Sequence, residues 1–517
     1  MVSISILNRE VLRESTKLIR RHEEYATKLR EENFRRDRRS TGPAQQFEPI
    51  RPRHWGVADG FDPYHVRKRR ESTSHAIQRA IRDSTYRPRN PIGYSVPKEE
   101  GASRQVSIFQ VADSALSHSV FERLMRKNGP RFSARSYAYR ADLSAHDAVQ
   151  YLHGEWSGRQ RVFVAEYDFR KYFDSISHDH IWRTLSDQSF LLTSEEQGLI
   201  RSFLRTPLPL EVESYSEQGG TPREAGVPQG TSISLFLANV AASPLDRALE
   251  KLGVGFVRYA DDTIVWSADY GQLCAAVEAL FEAAELMGVE LNPDKSQGVR
   301  LLVPPGSRAE IRGTEAVDFV GYHVSLNALE MKESVVARVK DRLHQLLYEN
   351  LIAEPRKGTQ RPERLGKVDA DYSVFISQAR RFLYGELSEA EVARYSRRGT
   401  PPKRFKGLMS FYPLIDDTSA LQELDSWLAT QTWLALRQRG RLLTKQGFQP
   451  LPAPHELSRH DLLRFGRKSA TTGEWYDLSI PSFRRIARLV RAAAQQHGPN
   501  AIGRSGDPYS YAIRSYS

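Results

Sequence analysis

The chain has 517 residues, and its 75 lysines and arginines outnumber its 63 aspartates and glutamates, which gives a formal net charge of +12. That length predicts several domains, and the basic balance favours a polyanionic partner, nucleic acid above all. The single cysteine excludes an intramolecular disulfide framework and a multi-cysteine zinc module. No stretch resembles a signal peptide or a membrane-spanning helix, so we expect a cytoplasmic protein with no membrane partner.

The first part of the chain alternates predicted helices with short strands. Apolar periodicity predicts helices over 1–40, from about 112 to 130, and over 143–153, 177–185, 194–205, 232–252 and 271–287. Predicted strands lie on both sides of Gly101, before Asp168, on both sides of the pair Asp261-Asp262, and over 317–324. The polar, glycine-rich stretch 211–226 predicts a hairpin and a loop.

From about residue 325 the pattern becomes helical. Predicted helices cover 325–360, 368–384, 388–398, 419–439 and 480–495. Trp427 and Trp433 lie on one of them, followed by Arg437, Arg439 and Arg441. Aromatic and basic side chains together can bind RNA, although tryptophans at helical spacing are more often part of a core.

Two acid-tipped strands carry the clearest chemical signal. Asp261 and Asp262 lie at the tip of a predicted hairpin, and Asp168 ends an apolar strand 93 residues upstream. Adjacent carboxylates repel one another, and a divalent cation such as Mg²⁺ removes that cost. If the two strands meet in space, the three acids could hold a pair of metal ions for phosphoryl or nucleotidyl transfer.

Seven sequence blocks in order resemble the fingers and palm of a bacterial reverse transcriptase, over about residues 90–325. The blocks are Pro97-Lys98 with Arg104, Ser136–Arg140 with His146–Ala148, Asp168–Ile176, Val227–Ser234 with Leu237–Asn239, Tyr259–Asp262, Leu291–Ser296 and Phe319–Tyr322. The resemblance implies an α+β, right-hand polymerase fold, in which fingers and an antiparallel palm sheet with helices precede a mostly α-helical thumb and C-terminal domain.

The resemblance also implies catalytic roles. Asp168 and Asp261 would bridge two Mg²⁺ ions, with Mn²⁺ as an alternative, and Asp262 would support them. Lys295 would protonate the leaving pyrophosphate.

Further residues would bind the nucleotide. Lys98 and Arg104 would contact the triphosphate, and Phe173 would exclude a 2′-hydroxyl. The remaining nucleotide-binding residues implied are Phe169, Tyr259, Gln229 and Gly230, the last two beneath the incoming base pair and template.

The implied domains follow the same resemblance. They are a charged N-terminal helix and linker (1–56), fingers (57–160), palm (161–325), a thumb-like helix (326–360) and a helical C-terminal domain with a tyrosine-rich tail (361–517). A palm followed by a large helical extension is similar to the layout of reverse transcriptases in bacterial phage defence.

The implied function is RNA-directed DNA synthesis from deoxynucleotides, in phage defence, with an RNA template or a structured non-coding RNA as partner. Three alternatives stay open: template-independent synthesis, protein priming from Tyr509, Tyr511 or Tyr516, and an RNA-scaffolding homo-oligomer. RNA synthesis is disfavoured because Phe173 would collide with a ribose.

Overall fold

The computed structural model describes residues 3–43, 46–97, 103–217, 219–292, 296–468 and 475–502. The chain divides into two compact units. Within the described residues, the first comprises 3–25 and 50–315, and the second comprises 26–49 and 316–502. The first helix, α1 (Ile4–Arg39), contributes residues to both units and confirms the predicted N-terminal helix.

The first unit mixes helices and strands. Its described helices after α1 are α2 (Pro63–Lys68), α3 (Arg70–Arg82), α4 (Val111–Asn128), α5 (Ala145–Trp156), α6 (Tyr172–Ser175), α7 (His178–Asp187), α8 (Ser194–Leu204), α9 (Ser232–Leu252) and α10 (Tyr270–Met287). Its described strands are β1 (Ile92–Pro97), β2 (Ser103–Ile108), β3 (Val162–Tyr167), β4 (Phe169–Arg170), β5 (Gly255–Tyr259), β6 (Asp262–Ser267), β7 (Glu290–Leu291), β8 (Gly298–Leu302) and β9 (Gly313–Thr314).

A five-stranded sheet forms the centre of this unit. Its strand order is β5-β6-β3-β8-β9, and every neighbouring pair is antiparallel except β8 with β9. The long helix α9 packs against α4, α7 and α10, and its small residues Ala238, Ala241 and Ala242 are buried there. Small side chains let these helices approach one another closely. The sheet and the helices packed on one another confirm the predicted α+β fold with an antiparallel sheet.

Local sequence signals set several helix ends. Ser144 and Thr193 begin α5 and α8 with capping boxes, in which each side chain accepts from the helix backbone and an acid three residues on accepts in return. Gly253 and Gly288 end α9 and α10 in the left-handed conformation that glycine adopts without strain. Gly253 thereby separates α9 from β5, which begins at Gly255.

The second unit is mostly helical, as the sequence predicts. Its strands are β10 (Ala316–Phe319), β11 (Tyr322–Ser325), β12 (Leu329–Met331), β13 (Gly466–Lys468) and β14 (Trp475–Asp477). Its helices are α11 (Glu333–Leu347), α12 (Ala353–Lys357), α13 (Ala370–Tyr384), α14 (Glu389–Arg398), α15 (Ser419–Lys445), α16 (Arg459–Leu462) and α17 (Phe483–His497). Within the part of the chain that the structure describes, no helix has both the length and the hydropathy to cross a membrane.

Three local predictions are wrong, the first being the helix over 325–360, which begins only at Glu333 because Leu329–Met331 form β12. Residues 317–324 form a hairpin, because Val320 and Gly321 both take positive φ and turn β10 back into β11. The stretch 211–226 forms no hairpin among its described residues, and its regular structure is a short 3₁₀ turn over Val212–Ser214. Loop residues there bridge to other segments instead, as Ala225 does to Ser177.

A buried ionic cluster organises the second unit and corrects the expectation for Arg439. Its guanidinium is fully buried, donating to Asp369 at 2.7 Å, to Asp371 at 2.8 Å and to the Leu351 carbonyl at 2.9 Å. His455 lies 2.9 Å from the same Asp369 carboxylate. Arg439 therefore holds α15 to α13 and presents nothing to RNA.

Candidate active site

The strand register brings the predicted acids to one corner of the sheet. Strand β3 pairs with β6 up to the partners Tyr167 and Thr263, so Asp168 and Asp262 are the next residues at the same end of the ladder. Asp261 belongs to the two-residue turn between β5 and β6, next to Asp262. All three aspartates are half-buried, so solvent and ions can reach them.

Asn292 fixes the backbone and the side chain of Asp168. Its backbone N–H donates to the Asp168 carbonyl at 2.8 Å, and its side-chain amide donates to Asp168 Oδ2 at 3.2 Å. The pairing of β4 with β7 delivers Asn292 to this position, since Phe169 opposes Leu291. Asn292 lies in the sixth of the seven sequence blocks, but its contact with Asp168 depends on a pairing that the sequence pattern did not reveal.

A buried arginine supports the hairpin from below. Arg258 is fully buried, and all five of its side-chain N–H groups donate. The acceptors are Asp246 at 2.7 and 2.6 Å, Asn239 at 3.1 Å, the Ala260 carbonyl at 3.1 Å and Ser136 at 2.7 Å. Ala260 takes a positive φ of 61° in the turn beside Asp261. The bond from Arg258 to its carbonyl therefore holds a strained turn in place.

The Arg258 network joins three separate sequence blocks. Asp246 and Asn239 come from α9, and Ser136 comes from the second finger block. A parallel bridge between Ser136 and Arg258 also covers the outer edge of β5, where Tyr137 donates to the Arg258 carbonyl at 2.9 Å. Sequence reasoning missed this network, although a charged residue inside an otherwise apolar strand was its visible signal.

The charge of Asp261 acts on a buried neighbour, the hydroxyl of Tyr172. Burial raises the pKa of the Tyr172 hydroxyl well above its ordinary value, Arg258 opposes that shift, and the charge of Asp261 adds to it. Among the described residues, no three His, Cys, Asp or Glu side chains already form a metal-binding group.

Phe173 lies five residues after Asp168, in a cluster of aromatic side chains. Its side chain is 6% exposed, and its ring lies edge-on to Tyr139 at 6.5 Å and to Tyr172 at 5.8 Å between centroids. The backbone N–H of Val227 donates to the Phe173 carbonyl at 2.6 Å. Aromatic neighbours and a backbone bond therefore hold the ring, so that its small exposed edge has a fixed position.

Gln229 and Gly230 dock onto a strand of the predicted fingers. The Ser107 backbone N–H donates to the Gln229 carbonyl at 2.7 Å, and the Gln229 amide donates to Asp174 at 2.9 Å. Gly230 has a φ of 126°, and a Cβ there would lie 2.0 Å from the Ser107 carbonyl oxygen. Only glycine permits this approach, which sets the 227–231 loop against β2.

The structure gives a strand position or a ring contact for three further predicted site residues, Arg104, Phe169 and Tyr259. Arg104 belongs to β2, in register with Val96. Phe169 is buried at 2% exposure and stacks on Tyr172, so any nucleotide contact from it would come from the backbone. Tyr259 ends β5, paired with Asp262. The predicted residues outside the described part of the chain are Lys98, Lys295, Tyr509, Tyr511 and Tyr516.

Residues 96–324 match the family described as reverse transcriptase (RNA-dependent DNA polymerase). This segment, which is less than half of the chain, is therefore a reverse transcriptase domain. It contains the Asp168 and Asp261-Asp262 corner together with the Phe173 and Gln229-Gly230 segments around it.

Curated relatives are intron-encoded proteins. The group II intron-encoded protein LtrA of Lactococcus lactis subsp. cremoris is 27% identical over 210 residues, covering 40% of this chain and 32% of LtrA. The putative COX1/OXI3 intron 1 protein of Saccharomyces cerevisiae is 26% identical over 162 residues, covering 30% of this chain and 18% of that protein. The chain thus spans between about a fifth and a third of the length of these relatives.

Among solved structures, one match is a Candida tropicalis telomerase in complex with a fragment of telomeric RNA. It has a TM-score of 0.38 and 12% identity, covering 72% of this chain and 63% of the telomerase. A human picobirnavirus RNA-dependent RNA polymerase matches with a TM-score of 0.32 and 12% identity, covering 46% of this chain and 43% of the polymerase.

Proposed function

We propose that the chain is an RNA-directed DNA polymerase that adds deoxynucleotides at the corner formed by Asp168, Asp261 and Asp262. The observation that supports this proposal is the β3–β6 register, whose last pair, Tyr167 with Thr263, immediately adjoins Asp168 and Asp262. Both acids lie in the segment that matches the reverse transcriptase family.

The carboxylate oxygens of Asp168, Asp261 and Asp262 are ligands of the kind that Mg²⁺ prefers. Mg²⁺ prefers oxygen ligands and is usually held by one or two carboxylates together with waters and substrate phosphates. Three half-buried aspartates at one corner supply such oxygens. Asp168 and Asp261 would hold two ions and Asp262 would support them. When bound, the ions would lower the pKa of an attacking 3′-hydroxyl and stabilise the charge on the leaving phosphates.

The surrounding residues would position the reactants. Arg258 fixes the turn that carries Asp261, and Asn292 fixes the orientation of Asp168. Gln229 and Gly230 would support the template and the incoming base pair, and Phe173 would face the sugar. Small misplacements of reacting groups cost large factors in rate, so these supports belong to the catalytic arrangement.

The test is nucleotide incorporation by the full chain. On an RNA template with a DNA primer, we expect labelled dNTP incorporation by the parent and a loss of at least about 1,000-fold in Asp261→Asn, because the carboxylate charge that would hold the ions is removed. Asp179→Asn is the matched control, since Asp179 is an exposed acid of the same unit. Equal activity of the Asp261 and Asp179 variants would contradict the proposal.

Three further measurements separate the alternatives. Product sequencing distinguishes templated synthesis from homopolymer tailing, and DNA that stays on the denatured protein would reveal protein priming. A biological effect that survives Asp261→Asn would favour an RNA-scaffolding role instead.

We also propose that this activity serves cytoplasmic phage defence with a non-coding RNA as partner. The support is the layout, in which a mostly helical unit over 316–502 follows the matched domain. Cells carrying the parent chain should resist phage, and cells carrying Asp261→Asn should not. Equal phage sensitivity of the two strains would contradict the defence role.

A further inference from the structure

A cavity lined by arginines lies within the second unit, between α15 and α17 and beside α16. Its volume is about 470 Å³. The cationic and potentially cationic side chains that line it are Arg459, His460, Arg484, Arg485 and Arg488. This volume falls within the range of about 300–1,000 Å³ that is typical of binding sites.

The acid in this lining, Asp425, lies within electrostatic reach of Arg484 but forms its hydrogen bonds elsewhere. Asp425 accepts from the Ser482 hydroxyl and from the Phe483 backbone N–H, both at 2.6 Å, so it caps the start of α17. Arg485 pairs with Glu389 at 2.5 Å. The helix N-terminus and one guanidinium are therefore already satisfied by the protein itself.

Three other guanidiniums line the cavity without forming an ion pair among the described residues, and Asp425 compensates part of the charge of Arg484. Arg484 donates to the Gln422 amide oxygen at 2.9 Å, and Arg459 donates to the Thr430 hydroxyl at 3.1 Å, both neutral acceptors. Arg488 is exposed. Within the described chain, no carboxylate forms an ion pair with any of these three arginines, in contrast to Arg485 and Arg491.

Helix α17 retains this charge at a cost to its own stability. Its apolar face is buried, whereas Arg484 and Arg488 lie four residues apart on the same face. Like charges at that spacing destabilise a helix by about 0.2–0.5 kcal/mol. The helix contains four arginines and no acidic residue, so nothing within it relieves the repulsion. A bound anion would do so.

We propose that this cavity, the α15–α17 groove, binds the phosphate backbone of RNA. Guanidinium groups bind phosphate oxygens in bidentate fashion, and several along one groove can follow successive phosphates. The exposed imidazole of His460 in the lining offers a ring on which a base can stack. The choice of RNA over DNA rests on the proposed RNA-directed activity, whereas the phosphate site rests on the groove alone.

Binding of a labelled RNA stem-loop to the full chain, with no divalent ion and no nucleotide, tests the proposal. Arg484→Gln/Arg488→Gln should lower the affinity about tenfold near 0.1 M salt. It should also reduce the slope of log affinity against log salt by about 1.4–1.8, because two phosphate contacts are lost. Arg488→Gln alone, at an exposed position, should reduce the slope by about 0.7–0.9 and guards against misfolding of the double variant.

The matched control is Arg397→Gln/Arg398→Gln, which removes the same charge from exposed positions of α14 in the same unit. It should change affinity by less than about twofold. Equal losses of affinity in the two double variants would show that only the net charge of the chain matters. That result would contradict RNA binding in the α15–α17 groove. Equal binding of a DNA duplex, lost in the same variant, would overturn the assignment to RNA. Parent incorporation activity is measured separately, so failure of the polymerase proposal is distinguishable.

Discussion

The side chains at the corner are of two kinds: those that would bind the metal ions and those that fix the backbone around them. Asp168, Asp261 and Asp262 are half-buried and accessible, while Arg258 beneath them is fully buried and fully hydrogen-bonded. The sequence predicted the three acids because paired carboxylates between apolar strands are conspicuous. It did not predict Arg258 as their support, because the partners of that side chain are scattered over residues 136, 239 and 246.

Phe173 provides the residue-scale prediction. Phe173→Ala should admit ribonucleotides, because the volume that would collide with a 2′-hydroxyl is removed. The measurement is the ratio of dNTP to rNTP incorporation, which is insensitive to the fraction of folded enzyme. That matters because truncating a buried phenylalanine costs about 3–5 kcal/mol of stability.

Phe173→Tyr is the control, since it keeps the ring and should keep the discrimination. A Phe173→Ala enzyme that discriminates as well as the parent would show that this ring is only a core residue. The 6% exposure and the edge contacts with Tyr139 and Tyr172 are compatible with a fixed steric edge.

At the scale of elements, apolar periodicity predicted most of the longer helices to within a few residues. The predicted helix over 232–252 coincides with α9, and 388–398 differs from α14 (Glu389–Arg398) by one residue. Short strands such as β7 and β9 were missed, because two residues carry no periodicity. The β10–β11 hairpin was read as a single strand because its turn is only Val320 and Gly321.

The Arg258 network gives the element-scale prediction, since it ties β5 to α9 and to the second finger block. Arg258→Met should lower the free energy of unfolding by about 3–5 kcal/mol, because Asp246 is left buried and unpaired. Urea denaturation measures the change.

The double variant Arg258→Met/Asp246→Leu removes both charges and should recover much of the loss. A loss below about 1 kcal/mol in Arg258→Met would contradict a structural role for the network.

Across the whole molecule, the matched domain was predictable and the helical unit only in outline. Residues 96–324 carry several motifs whose spacing reflects one reaction, so resemblance to a family guided the prediction. In the second unit, apolar periodicity predicted helices but gave no partner for any of them. The Arg439 cluster and the α15–α17 groove both depend on which helix faces which, and that information lies in tertiary contacts.

The central claim is that Asp168 and the Asp261-Asp262 turn together hold two divalent ions. Electron paramagnetic resonance of Mn²⁺, titrated into the full chain with primer, template and a non-hydrolysable dNTP analogue, tests it most directly. We predict about two bound ions per chain in the parent and in Asp179→Asn, with at least one lost in Asp168→Asn. The same number of ions in Asp168→Asn as in the parent would contradict the claim.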